Sequence, residues 1–300
     1  MQDFGYKILR FSLGLFARLP LAVLYIFADF LYIIIYYIVG YRRKLVDRNL
    51  ALCFPDKSDK ERRDIARQFY HNFADYIVES IKLLHISDEE MARRFSFSNI
   101  EVIDQLVASG KSIVVYFSHC GNWEWAPSVT LHAARRPGDG VEYCQVYRPL
   151  RNKAFNRLML DIRGRFGSLS FPKASVLRDL LRLRKAGKAS VTGFMSDQKP
   201  SHGDDGVIAM FLNRPTAFIH GTELLARRLD MAAIYWDVEK PSRGHYHITC
   251  RLVSDEPSSL SDGDLTRRYI AFLQDTILRN PSIWLWTHNR WKHPVEMPQE

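Results

Sequence analysis

The segment Ser118-His119-Cys120-Gly121-Asn122-Trp123-Glu124 carries the residue types of a proton-transfer site. An imidazole can take a proton from an attacking hydroxyl, and a nearby carboxylate can fix its tautomer and support the imidazolium. The segment follows the apolar, β-branched run 113–117, which reads as a buried strand. Gly121-Asn122 ends that strand, and Asn122 is a suitable N-cap for a helix beginning at Trp123. His119 is therefore expected in a loop at the C-terminal edge of a strand, where open α/β sheets place their chemistry. Glu124 is expected in the first helical turn, where the macrodipole favours a carboxylate. Together they make half of an acyl-transfer site, with the substrate supplying the nucleophile. Spacing alone does not separate this from a solvated loop histidine near an unrelated glutamate.

The elements that must position these residues are legible as periodicity. Ser58 with Glu61 and Ser87 with Glu90 form capping-box patterns that open helices. The first leads a long amphipathic segment, 60–84, with Ile65, Phe69, Phe73 and Ile77 on one face. From residue 100 the pattern alternates: helix 100–109, strand 112–117, a helix from 123, strand 142–147, then helices 153–165 and 175–186. Strand 189–195, helix 217–229, strands 232–238 and 246–253 and a closing helix 262–278 follow. This order predicts an α/β fold with a mixed, mainly parallel central sheet flanked by helices. Loop 196–213 is the longest irregular stretch and a candidate binding loop.

Residues 19–39 are almost wholly apolar, broken by Pro20 and Asp29, and long enough to cross a bilayer. Lys7, Arg10 and Arg18 precede them and Arg42, Arg43 and Lys44 follow, so charge does not set an orientation. The run is too long for a cleaved signal peptide. The expected division is a membrane anchor over 1–45, spanning or interfacial, and a catalytic domain over 46–300. A formal charge of +9 points to anionic partners. Nucleic acid is not expected, because no binding motif and no basic stripe with stacking aromatics occurs. A hydrolase is disfavoured by the absence of Gly-x-Ser-x-Gly and His-Glu-x-x-His. Cys53, Cys120, Cys144 and Cys250 are scattered, which suits a reducing compartment rather than a disulfide framework or zinc site. His245 and His247 alternate on a strand without a third ligand nearby, and read as a solvent-facing strand edge.

Further blocks stand in order along the chain. They are Tyr41-Arg42-Arg43-Lys44 to Asn49-Leu50, Tyr147-Arg148-Pro149 with Asn152, and Arg163-Gly164-Arg165-Phe166-Gly167. Asp197-Gln198 after a strand, Pro215-Thr216 after Phe211-Leu212, and the closing stretch from Trp284 to Lys292 complete them. With the His-x4-acid motif and the anchor, they make a chain that resembles the bacterial lipid A biosynthesis acyltransferases. These are the lauroyl/myristoyl-type enzymes related to glycerolipid acyltransferases.

The resemblance implies a glycerolipid-acyltransferase-like fold and transfer of a fatty acyl chain from an acyl carrier protein or coenzyme A thioester. The acceptor would be a hydroxyl of a lipid A precursor; another glycolipid, phospholipid or aminolipid is the alternative. It implies an inner-membrane protein with its catalytic domain on the cytoplasmic face, and neither cofactor nor metal. His119 is the general base and Glu124 orients it. Ser118 and Cys120 are read as small loop residues, a ping-pong route through Cys120 requiring an exposed thiolate. Arg148, Asn152, Arg163, Arg165 and Asp197 form the expected substrate-binding set. Arg148 suits phosphate or carbonyl oxygens, Arg163 and Arg165 also offset a helix dipole, and Asp197 is expected to back another site residue or to shape the loop rather than catalyse. Trp284, Trp286 and Trp291 are expected to pack the C-terminal helix or, with His288, Arg290 and Lys292, to form an interfacial patch. His202, Asp204 and Asp205 stand where the commonest members are richer in glycine and aromatics, which bears on acceptor identity more than on reaction type.

Overall fold

The computed structural model describes residues 2–201 and 206–297; His202, Asp204 and Asp205 lie outside them. Helix α1 (Gln2–Ala17) is followed by α2 (Leu21–Ile33), which a π-helical turn continues to Ile38. Next come α3 (Arg43–Cys53) and the 24-residue α4 (Asp59–Lys82). The expected capping box starts α4: Glu61 N–H donates to Ser58 Oγ at 3.3 Å, and Ser58 N–H donates back to the Glu61 carboxylate at 2.7 Å. The rest of the chain then alternates. It runs through α5 (Asp88–Arg94), β1 (Phe95–Ser98), α6 (Glu101–Ala108), β2 (Ile113–Phe117), a 3-10 helix (Trp123–Leu131), β3 (Val141–Tyr147) and α7 (Lys153–Gly164). β4 (Leu169–Pro172), α8 (Val176–Lys185), β5 (Ala189–Met195), β6 (Gly206–Phe211), β7 (Arg214–Ile219) and α9 (Gly221–Arg228) follow, then β8 (Ala232–Ser242), β9 (His245–Ser254) and α10 (Asp264–Arg279).

Seven strands form one sheet in the order β1-β9-β8-β2-β5-β3-β4, while β6 and β7 make a separate hairpin. β8, β2, β5, β3 and β4 are parallel, β9 is antiparallel to β8, and β1 is parallel to β9. The sheet is therefore mixed and mainly parallel, as the alternation predicts. All five residues of β2 are buried, which is why its sequence is a continuous apolar run rather than an alternating one. Because β2, β5 and β3 are parallel neighbours, their C-terminal ends lie side by side. The loops carrying His119, Asp197 and Arg148 leave from that shared edge.

Several expectations are corrected locally. The segment after Asn122 is a 3-10 helix rather than an α-helix, with Pro127 inside it and unable to donate to an α-helical ladder. The stretch 217–229 divides: Ala217 to Ile219 complete β7, and the helix begins only at Gly221. The loop 196–213 contains β6, whose hairpin turn places Leu212 and Asn213 at φ 48° and 64°. Tight hairpins need that left-handed backbone, but here no glycine advertises it. β1 and β4 are four-residue edge strands, too short to show a period. With β1 alongside it, β9 is no edge: His247 bridges Ser96 and Ser98 on β1 through its two ring nitrogens, at 2.9 and 3.0 Å.

The N-terminal helices are docked rather than tethered. Leu21, Leu24 and Ala28 of α2 are buried, and α2 lies along α4. Arg243 joins Asp29 on α2 to Asp75 on α4, with 2.6 Å contacts to each. Lys82 Nζ donates to the carbonyls of Ala17 and Leu19, at 3.0 and 2.8 Å. The outward face of α2 exposes Ile26, Phe27, Phe30 and Ile33, and residues Leu21–Ile38 are long and apolar enough to cross a membrane. Residue 45 falls inside α3.

Candidate active site

His119 leaves β2 through the buried Ser118. Its ring Nδ1 donates to Asp197 Oδ1 at 2.7 Å, and its backbone N–H donates to Asp197 Oδ2 at 3.0 Å. Trp284 Nε1–H donates to the same Oδ2 at 2.9 Å. An ionised carboxylate only accepts, so Nδ1 carries a ring proton, and in the neutral imidazole the lone pair is on Nε2. The Gln198 side-chain amide donates to Nε2 at 3.2 Å. Trp123 meets the imidazole edge-on at 5.0 Å between centroids and stacks on Tyr76 of α4 at 4.1 Å.

Asp197 is 2% exposed. Burial, the largest single influence, pushes its carboxyl up; the facing His119 and the hydrogen bonds from His119 and Trp284 outweigh burial and hold it down at about 2. It is an anion across the physiological range.

Glu124 occupies the expected first turn, with its N–H donating to Asn122 Oδ1 at 3.2 Å, but its partner is not His119. Arg163 of α7 takes both carboxylate oxygens, Nε at 2.8 Å and Nη2 at 2.7 Å. The carboxylate hydrogen-bonded to the histidine is that of Asp197. Two acidic groups are thus used differently: one orients the imidazole, and the other locks an arginine fork in a largely buried, bidentate pair.

His119, Glu124 and Arg163 face a cavity of about 620 Å³, within the range of roughly 300–1,000 Å³ usual for ligand clefts. His119, Glu124, Arg148, Arg163, Lys173 and Gln198 supply its polar side. Phe117, Val129, Val191, Phe194, Leu225 and Trp236 line its apolar part. Arg148 is exposed at the end of β3, as its position after a strand predicts. Asn152 and Arg165 stand apart from the cavity. Asn152 Oδ1 accepts Phe155 N–H at 3.0 Å as the N-cap of α7. Arg165 donates to Leu83 O at 2.8 Å and to Asp88 at 3.1 Å, fastening α5 to the end of α4.

Cys120 is fully buried and burial pushes its thiol far up, so it is no thiolate nucleophile. Trp284, Trp286 and Trp291 are buried in an irregular segment after α10, which removes the interfacial-patch reading. His288 lies in the same segment, where burial pulls its imidazole down to about 4. Buried Arg290 donates to Ala217 O at 2.5 Å and is lowered by burial to about 10. The contributions of Trp284 and Gln198 to the histidine's setting were not readable as such from sequence. For Asp197 a signal existed, since it ends β5 as His119 ends β2.

The family model for the bacterial lipid A biosynthesis acyltransferase matches residues 5–293. The lipid A biosynthesis lauroyltransferase of Escherichia coli (strain K12) is 24% identical over 254 residues, covering 84% of this chain and 79% of that protein. The lipid A biosynthesis palmitoleoyltransferase of the same strain is 22% identical over 259 residues, with the same shares. Its lipid A biosynthesis myristoyltransferase is 21% identical over 163 residues, covering 54% of this chain and 48% of the relative. With a match that runs almost end to end over a histidine-centred cavity, the chain belongs to the bacterial lipid A biosynthesis acyltransferase family.

Proposed function

We propose that this protein is a late acyltransferase of lipid A biosynthesis, moving a fatty acyl chain from a thioester to a hydroxyl of a lipid A precursor with His119 as general base. The observation that carries this is the His119 imidazole at the cavity wall, with Nδ1 held by buried Asp197 and the basic Nε2 left for substrate. A substrate hydroxyl taking the place of the Gln198 amide at Nε2 passes its proton to that nitrogen as its oxygen attacks the thioester carbonyl. Asp197 stabilises the imidazolium. As the tetrahedral intermediate collapses, the C–S bond breaks and the imidazolium returns the proton to the departing sulfur. The products are an ester and a free thiol, and no acyl-enzyme forms.

In this reading Glu124 acts through Arg163, whose guanidinium is held in one orientation to meet a phosphate of the acceptor or the developing oxyanion. Arg148 binds anionic groups at the cavity mouth, and the apolar walls take acyl chain. The basic chain suits an acidic acyl carrier protein as donor. Since α2 is fastened to α4 along one side, we read α1 and α2 as lying in the membrane interface with Ile26, Phe27, Phe30 and Ile33 in lipid. The catalytic domain then sits on the cytoplasmic face of the inner membrane.

The test is acyl transfer by detergent-purified protein from acyl-carrier-protein or coenzyme A thioester to a lipid A precursor. Transfer by the wild type that falls at least roughly 100-fold in His119→Ala supports the reading. Activity that survives His119→Ala overturns the mechanism, and transfer only to another lipid overturns the acceptor.

A further inference from the structure

Glu79, near the C-terminal end of α4, is fully buried and has no part in the mechanism above. Its carboxyl group collects donors from three separate elements. Tyr25 of α2 donates to Oε1 at 3.0 Å, while the Asn122 amide and Tyr246 of β9 both donate to Oε2 at 2.9 Å. Trp125 Nε1–H donates to the Glu79 backbone carbonyl at 3.1 Å. Asn122 is committed in both directions, since its other side-chain atom accepts Glu124 N–H at 3.2 Å. Gly121 has φ +61°, and a Cβ there would meet the Tyr246 ring at 2.8 Å, so the loop backbone rests directly on a ring that Glu79 holds.

The other side of the loop is pinned independently. Gly121 N–H donates to Ile283 O at 2.9 Å, and Leu285 N–H donates to His119 O at 3.1 Å. The histidine loop is therefore gripped between the C-terminal segment and one carboxyl group, and the same carboxyl group reaches the membrane-facing helix. Burial pushes the Glu79 carboxyl up, so this cluster is costly to keep unless every donor is placed.

We propose that Glu79 is a positioning residue that ties α2 to the His119–Glu124 loop, so that the seating of the anchor on α4 sets the geometry of the catalytic loop. This rests on the acyltransferase reading above. The anchor is then part of the catalytic framework as well as a means of attachment. A displacement of about 1 Å in a positioned base can cost roughly 100-fold in rate, so a loosened clasp acts on kcat rather than on substrate binding.

The experiment compares full-length wild type with Glu79→Gln, Glu79→Leu and Tyr25→Phe in the transfer assay, with hydrogen exchange of the Gly121 and Glu124 amides and Tm measured on each. Gln can still accept from Asn122 and Tyr246 with its oxygen while its amide N–H donates to Tyr25, so Glu79→Gln keeps kcat within about threefold. Tyr25→Phe and Glu79→Leu lower kcat by roughly tenfold or more with KM within about twofold. They also speed exchange at the two loop amides. Unchanged kcat and unchanged loop protection in Tyr25→Phe overturn the proposal, and so does a change confined to KM. If Glu79→Leu does not fold, Tyr25→Phe decides. If the wild type transfers no acyl chain, the failure belongs to the acyltransferase reading, and loop exchange still tests the clasp.

Discussion

The imidazole of His119 donates from Nδ1 to Asp197 Oδ1 at 2.7 Å, across 78 residues of sequence. The two residues sit at the ends of adjacent parallel strands, β2 and β5, which is what makes the pair possible. The arrangement puts the base on Nε2, where the Gln198 amide now donates, and it makes Asp197 rather than Glu124 the group that senses the charge on His119.

Asp197→Asn removes the anion behind the imidazole while keeping its size. We expect kcat to fall by roughly 10³- to 10⁴-fold with little change in KM, as when an orienting carboxylate becomes an amide. Steady-state kinetics check this, and a loss below about tenfold would show that Asp197 is not the orienting group.

Glu124 is 4% exposed, and among the described residues Arg163 is the one that hydrogen-bonds its carboxylate. Arg163→Met leaves a buried carboxylate without its cation, and we expect a loss of roughly 3–5 kcal/mol in denaturant unfolding. The double variant Arg163→Met/Glu124→Gln should regain much of that stability while remaining inactive. A double variant no more stable than the single one contradicts the pairing argument.

His288 has an imidazole that burial pulls down to about 4 from the usual 6.5. Between these values the unfolded chain binds a proton that the folded protein refuses, so stability falls as pH drops from about 6.5 to 4. Asp197 does not contribute there, because its carboxyl is depressed to about 2 from 3.8, and its stabilisation is lost only below about pH 4. His288→Gln should flatten the Tm-against-pH curve over that window. An unaltered slope would assign the acid sensitivity to other groups.

Phe30 and Ile33 are 64% and 45% exposed on the outer face of α2. Phe30→Glu/Ile33→Glu therefore removes no core contact, and Tm in detergent should stay within a few degrees. Binding to liposomes of mixed phosphatidylethanolamine and phosphatidylglycerol should drop sharply, because charge at the acyl boundary is costly. Retained binding would place the membrane contact elsewhere.

Much of the fold was legible because it is written locally. β2, β3 and β5 announce themselves as short apolar or β-branched runs, and Ser58 and Ser87 mark helix starts through side chains that reach only three residues ahead. The β6–β7 hairpin was not, because its turn uses Leu212 and Asn213 rather than glycine at positive φ. The tryptophans of the C-terminal block were conspicuous, but only the fold shows that Trp284 serves Asp197 from a buried position.

Strand periodicity and loop chemistry are short-range properties, so the order of residues alone shows a histidine, an arginine and an aspartate each following a strand. Which of them meet was decided by strand order. Inserting β5 next to β2 brings Asp197 to His119, and packing α7 against the 3-10 helix draws Glu124 away to Arg163. Five residues of separation placed Glu124 near His119 along the chain, but hydrogen bonds follow distance and direction in space, and those are set by how parallel strands and their covering helices stack.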